Sequence, residues 1–290
     1  MLTMQYHLYL LFMYLFADTR RIWMSDHENK TFQRVLKLIP SHPGKSALHQ
    51  NKNKIRAIVS TETTENPANI FLYDINLRIT KNIETTDVGF CEDNLYALTF
   101  HANPYLSLKG YEKLIVKYTR DFDGLELNGT LFLPPGYDMK NPKRKLLPLL
   151  MWAYPREFKS KHAASQLRTS PYQFSRIYPT SPLLWLSLGF AVLSGPAMPI
   201  LSQDENDATT ANDTYIPQLI SSARAAVHHV CNVMKVGDKN RVSVGGHSYG
   251  AFMTANLLAH TTNLFSCGIA RSGGKFLRIC ITMLAFINPY

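Results

Sequence analysis

From residue 111 onward the apolar positions gather into runs of the kind a buried sheet requires. Leu146-Leu147-Pro148-Leu149-Leu150-Met151-Trp152-Ala153 is apolar throughout, and so is Gly189-Phe190-Ala191-Val192-Leu193-Ser194-Gly195. Runs of this length without alternation read as strands covered on both faces. Arg241 to Gly245 and Ser266 to Ala270 repeat the pattern further along. Between the second and third runs, Ile216, Leu219, Ile220, Ala223, Val227, Val230 and Met234 recur at helical spacing, which predicts a helix from Tyr215 to Met234. Pro217 suits its first turn. Ahead of all these, Leu114-Ile115-Val116-Lys117-Tyr118 and the stretch from Leu125 to Leu133 alternate about Asp123-Gly124, a hairpin signal. Strands that alternate with helices after an opening hairpin predict a mostly parallel α/β sheet.

Residues 1–110 are patterned differently. Asn69 to Ile75 and Leu95 to Phe100 are strand candidates, separated by polar stretches such as Thr61 to Pro67. Short strands at this spacing suggest sandwich or propeller-like β structure, although no repeat is visible. The chain therefore divides into a partial β-propeller-like region at 1–110, an α/β domain at 111–273, and a tail at 274–290 whose pattern fits neither.

Composition narrows the picture. The chain has 290 residues, 46% of them hydrophobic, enough for one or two domains with real cores. Its four cysteines, Cys91, Cys231, Cys267 and Cys280, lack metal-ligand spacing, so the expectation is a reducing compartment, no disulfide framework and no metal. The net charge of +10 is spread over short loop clusters such as Lys143-Arg144-Lys145, not drawn into a basic stripe with interleaved aromatics. That argues against a nucleic-acid partner. The run Leu8 to Phe16 is too short to span a bilayer, and no Lys or Arg precedes it as in a signal peptide. It reads as a strand pair or as a membrane-seeking start, with its Tyr and Phe favouring strands. No transit peptide is recognisable, and no cofactor is implied.

The chemistry lies in Gly246-His247-Ser248-Tyr249-Gly250. It sits between an apolar run, Val242 to Gly245, and a helix-like run, Ala251 to His260. A strand that turns into a helix through Gly-x-Ser-x-Gly holds its serine on a tight, strained turn. The hydroxyl is thereby lifted clear of the sheet, and the following N–H, that of Tyr249, points at a developing oxyanion. A hairpin followed by buried strands, with this elbow after the third of them, is the α/β-hydrolase order. Tyr154 follows the first buried strand, in the loop where such a fold places its other oxyanion donor.

The stretch from Arg241 to His260, its continuation through Leu264 to Gly273, and upstream Leu131 to Asp138, Tyr154 to Lys161 and Ser181 to Leu186 together resemble the prolyl oligopeptidase family, and within it the plastid glutamate-cleaving branch. The resemblance is strong over 111–273 and patchy over 1–110, where the family has a propeller. It implies a serine peptidase of peptide or protein substrates that works through an acyl-enzyme on Ser248. The Tyr249 N–H and the Tyr154 hydroxyl would form the oxyanion hole, and a chloroplast stroma location is implied. Arg271, Arg156 and Lys159 are candidates for holding an acidic substrate side chain.

The fold's triad runs Ser, then Asp or Glu, then His. Beyond Ser248 the sequence holds no Asp or Glu and a single histidine, His260, twelve positions on at the end of the following helix. The expectation is an incomplete α/β-hydrolase sheet that lacks its last strands, with an exposed edge, and very low activity of this chain alone, because a serine without its base is a poor nucleophile. Two further readings stand beside the peptidase: a catalytically inert fragment or pseudo-hydrolase, and an esterase or lipase on the same fold.

Overall fold

A computed structural model describes residues 22–26, 30–39, 54–79, 88–90, 94–101, 108–158, 164, 170–202, 208–273 and 284–287. The Leu8–Phe16 run, Lys159, Cys91 and Cys280 lie outside them. The chain forms two compact units, one of residues 1–104 with 172–176, the other of 105–171 with 177–290.

The first unit is an antiparallel sheet. Strands β1 (Ile22–Asp26), β2 (Thr31–Ile39), β3 (Lys54–Thr63), β4 (Asn69–Ile79) and β5 (Val88–Phe90) pair in chain order, and β6 (Asn94–Ala97) also pairs with β4. Of the strand candidates read in this region, Asn69 to Ile75 lies within β4, and Leu95 to Phe100 is strand only as far as Ala97. Thr63 closes the β3–β4 turn by accepting the Asn66 N–H at 2.9 Å.

The second unit holds a seven-stranded mixed sheet. Its hairpin is β7 (Glu112–Thr119) against β8 (Glu126–Leu133), and its parallel strands are β9 (Leu147–Trp152), β11 (Ala191–Ser194), β13 (Gly237–His247) and β14 (Cys267–Arg271). The spatial order is β15-β14-β13-β9-β11-β8-β7, where β15 (Leu284–Ile287) runs antiparallel to β14. The outer side of β14 is thus paired by a strand from the tail. Short parallel strands β10 (Arg156–Phe158) and β12 (Pro199–Leu201) form a separate ribbon.

The buried runs occupy the middle of this sheet, as their continuous apolarity requires. Leu131, Leu133, Leu149, Met151, Leu193, Val242 and Val244 line one face. They pack against Leu219, Ala223 and Val230 of helix α1 (Tyr215–His228) and the turn that follows, and against Met253 and Leu257 of helix α2 (Tyr249–His260). On the other face Phe132, Leu150 and Val192 meet Leu183 and Leu186 of a 3-10 turn, Pro182–Leu188. Ser181 caps that turn, and Gly189, at φ 78°, ends it in a left-handed conformation that costs glycine little. The helix predicted to Met234 changes pitch at His229–Val233, which is one π-helical turn.

A polar knot fastens the hairpin to α1. Arg120 leaves the end of β7 and is completely buried. Its Nε and Nη2 clasp the two Asp123 oxygens at 2.7 and 2.8 Å, Nη1 donates to Pro199 O and Ser222 Oγ, and Nη2 also donates to Gln218 Oε1. All five guanidinium N–H groups are therefore satisfied, which is what allows a charge to remain in the interior. Gln218 carries the knot onward, accepting from Leu201 N and donating to Leu201 O and Thr214 Oγ1.

Candidate active site

The four parallel strands end on the same side of the sheet, and the residues singled out from the sequence stand at those ends. Tyr154 follows β9, Ser248 follows β13, and Arg271 is the last residue of β14. The chain passes from β9 to β11 on one side, then crosses to β13 on the other. The point of reversal lies between β9 and β13. Open α/β sheets gather ligands just beyond the carboxyl ends at such a switch point, because the two loops diverge there and leave a crevice. Tyr154 and Ser248 flank it.

The elbow is strained as the motif demands. Ser248 has φ 57° and ψ −116°, a backbone conformation that L-residues seldom adopt, and its side chain is exposed to solvent. The turn is held from both sides: the Ser248 N–H donates to Arg271 O at 2.9 Å, and Ser248 O accepts from Ala251 N at 2.9 Å. Tyr249 is the first residue of α2, so its N–H has no carbonyl one turn back and is free to bind a ligand oxygen. The helix dipole adds partial positive charge at the same place.

The two glycines of the motif are fixed by close approach. A Cβ on Gly250 would stand 2.5 Å from Ala153 O, and one on Gly246 would stand 2.6 Å from Ala153 O and from the Gly250 backbone. These obstacles are backbone atoms that cannot swing aside. The loop after β9 is therefore pressed directly onto the elbow, and Ala153 N further ties it there by donating to Gly245 O at 3.0 Å. Tyr154 comes next in that loop and is exposed. Its ring meets the Tyr249 ring edge-on at a centroid distance of 5.9 Å. The structure thus brings Ser248, Tyr249 and Tyr154 together.

Tyr249 also stacks on Phe252 at 6.0 Å and on Tyr215, the first residue of α1, at 6.0 Å. This aromatic group was not apparent in the sequence, where Tyr215 reads only as the start of a helix. The Tyr215 hydroxyl is buried beside that of Tyr249, and burial, with the neighbouring Tyr249 adding to it, drives its pKa strongly upward. Burial raises that of Tyr249 as well. The Glu157 carboxylate reinforces both shifts, which places a negative charge near the aromatic group. The sequence carried no sign of Glu157 beyond its position in a charged loop.

The basic candidates differ in placement. Arg271 pairs across the sheet with His247, next to Ser248, and is half-buried. Arg156 begins β10, is exposed, and donates its N–H to Met198 O. His260 is out of reach, as the spacing implied: the length of α2 puts it roughly 18 Å along the helix from the serine. Among the described residues no histidine or carboxylate hydrogen-bonds the Ser248 hydroxyl, and none form a cluster suited to a metal ion. No described helix is long and apolar enough to cross a membrane.

Comparison with known proteins bears out the resemblance read from the sequence. Residues 220–277 match the prolyl oligopeptidase family, a stretch that begins within α1, contains β13, the elbow, α2 and β14, and runs four residues into the tail. Over 258 residues, 89% of the chain, it is 44% identical to a probable chloroplastic glutamyl endopeptidase of Arabidopsis thaliana, and over 257 residues 42% identical to the one of Oryza sativa subsp. japonica. The chain spans 24% and 25% of the length of these relatives. Among solved structures it is similar to the Pyrococcus horikoshii acylaminoacyl peptidase, at 17% identity and TM-score 0.45, covering 74% of this chain and 29% of that one. Oligopeptidase B of Leishmania major is similar at 15% identity and TM-score 0.42, with 86% of this chain and 31% of that one covered.

Proposed function

We propose that the chain is the nucleophile-bearing part of a serine endopeptidase built on an α/β-hydrolase sheet, with the antiparallel sheet of the first unit contributing to a propeller. The observation that carries this reading is Ser248 itself, exposed on a strained turn at the switch point with a free helix N–H beside it. In the proposed reaction the Ser248 oxygen adds to the scissile carbonyl, the peptide C–N bond breaks, the hydroxyl proton ends on the departing amine, and the acyl group stays on Ser248 as an ester. The oxyanion that forms is held by the Tyr249 N–H and the Tyr154 hydroxyl. Such donors contribute most when they are fixed before the reaction; the contact between Ala153 and Gly250 sets the backbone of the Tyr154 loop against the start of α2, and the Tyr154 ring rests edge-on against Tyr249.

The relatives are named as glutamyl endopeptidases of the chloroplast. On that basis we assign this protein the same compartment and a preference for glutamate at the cleaved bond. Arg271 is the favoured partner for the acidic side chain because it ends the strand next to the elbow, with Arg156 as a second cation on the loop beyond β9. No metal or cofactor is required by this chemistry.

Labelling with a fluorophosphonate tests the nucleophile. The expected outcome is a single adduct on the peptide that contains Ser248, lost in Ser248→Ala. Absence of the adduct in correctly folded protein would leave the inert-fragment reading standing. Glutamyl peptides assayed beside short-chain esters then separate a peptidase from an esterase. Turnover of esters alone would overturn the peptidase assignment.

A further inference from the structure

A second groove lies at the other end of β13. It is an open groove bordered by the last turns of α1, the first residues of β13 and the segment that leads out of α2, and has a volume of about 570 Å³. From Asn240 to His247 the strand covers roughly 23 Å, so the groove is well removed from the elbow. Pockets of this volume are the usual size for small molecules.

Its lining is one-sided in charge. Arg224, His228, Lys239 and His260 all contribute, and no Asp or Glu does. Arg224, His228, Lys239 and His260 are exposed, and among the described residues none of the four has a carboxylate partner, in contrast to Arg120, Lys117 and Arg241, which all do. Asp238, next to Lys239, is held first by other groups: it accepts from the Asn240 N–H at 3.0 Å and from Arg241 Nε at 2.8 Å, and these lower its pKa more than Lys239 does. Two permanent cations and two imidazoles thus border one open groove that no carboxylate lines, with Asp238 beside Lys239 offsetting part of their charge.

Two further features bear on the ligand. Val227 and Leu264 add an apolar strip, and Asn232 and Asn263 add uncharged polar groups. Asn232 belongs to the π-helical turn that ends α1. Such turns are energetically poor and recur where a helix re-aims a side chain toward a functional site.

We propose that this groove binds a compact phosphate-bearing small molecule, with Arg224 and Lys239 holding a di- or triphosphate and Val227 and Leu264 lying under the rest of the molecule. An acidic peptide shares the charge. It fits less well, because carboxylates spaced along an extended chain spread their charge, whereas the cations converge from three elements on one short groove that suits the dense charge of a phosphate group.

The test is calorimetric titration of the full chain with pyrophosphate and with adenosine diphosphate. Saturable one-to-one binding is expected, weakened at least about tenfold in Arg224→Gln/Lys239→Gln and falling steeply with added salt. Both residues are exposed, so the variant should keep the parent's circular dichroism and melting temperature. Lys140→Gln/Lys143→Gln, which removes the same charge from a different loop, should bind as the parent does. No binding of either ligand at millimolar concentration, equal affinity in the parent and the Arg224/Lys239 variant, or full displacement by a hexaglutamate peptide would each overturn the proposal.

Discussion

The Arg120 knot and the Ser248 elbow are both polar, and both lie within the same unit, yet they are built on opposite terms. At Arg120 every donor has an acceptor, no side-chain surface is exposed, and the backbone is relaxed. At Ser248 the hydroxyl faces solvent, the next N–H has no partner, and the backbone sits in a costly conformation. A satisfied buried network stabilises and specifies a fold. An unsatisfied exposed one does neither, and its strain must be offset by the packing around it. The contrast separates what holds this sheet together from what the sheet holds up for chemistry.

Breaking the first region should therefore cost stability and breaking the second should cost reactivity. The largest effect is expected for Arg120→Ala, which leaves Gln218 Oε1, Pro199 O and Ser222 Oγ without their donor and Asp123 without its counterion. A loss of about 3–5 kcal/mol in urea denaturation is expected. Retention of parental stability would mean that the knot is decorative.

Next comes Gly250→Ala. Its new methyl must displace the Ala153 carbonyl, at a cost of about 1–3 kcal/mol, and fluorophosphonate labelling should fall with it. A variant that labels normally would show that the two loops are not pressed together as described.

Ser248→Gly should behave in the opposite way. Glycine accepts the elbow conformation, so this variant should be more stable than Ser248→Ala by about 1 kcal/mol while both lose the adduct. Equal stability of the two variants would remove the argument from strain.

The smallest effect concerns pH. Burial pushes the Cys231 thiol up to about 11, so folding favours its protonated form. A raised acid contributes stability that is fully present below its unfolded pKa and is lost as pH rises toward the folded one. Stability should begin to fall above about pH 9, before the unfolded chain's tyrosines ionise near pH 10. Cys231→Ala should flatten that slope; an unchanged slope would assign it to other groups.

Much of this was legible in the sequence because it depends on local pattern. Continuous apolarity marked β9, β11, β13 and β14, Asp123-Gly124 marked the hairpin turn, and Gly-x-Ser-x-Gly between a strand and a helix marked the strained serine. The order of strands was not legible, because the placement of β9 at the switch point is decided by crossovers and not by any one segment. The Arg120 knot was missed because an arginine at a strand end reads as solvated. Its trace was present in Gln218 and Ser222, four apart on α1 beside Leu219 and Ala223, where a polar pair on a buried face requires a partner. The aromatic group about Tyr249 was missed because Tyr154, Tyr215 and Tyr249 are brought together only by the sheet. The tail pairing with β14 was equally invisible, since four apolar residues carry no signal of which edge they join.

Ala153 and Gly250 are separated by nearly a hundred positions along the chain, yet only a hydrogen atom fits between them. Whatever mobility the crevice has, its two walls cannot close further on one another, and the Ala153 N–H bond to Gly245 O resists their separation. Adjustment to differently shaped substrates must then come from side-chain rotation, that of the exposed Tyr154 included, or from the ribbon of β10 and β12, leaving the spacing of the serine and the Tyr249 N–H as a rigid gauge.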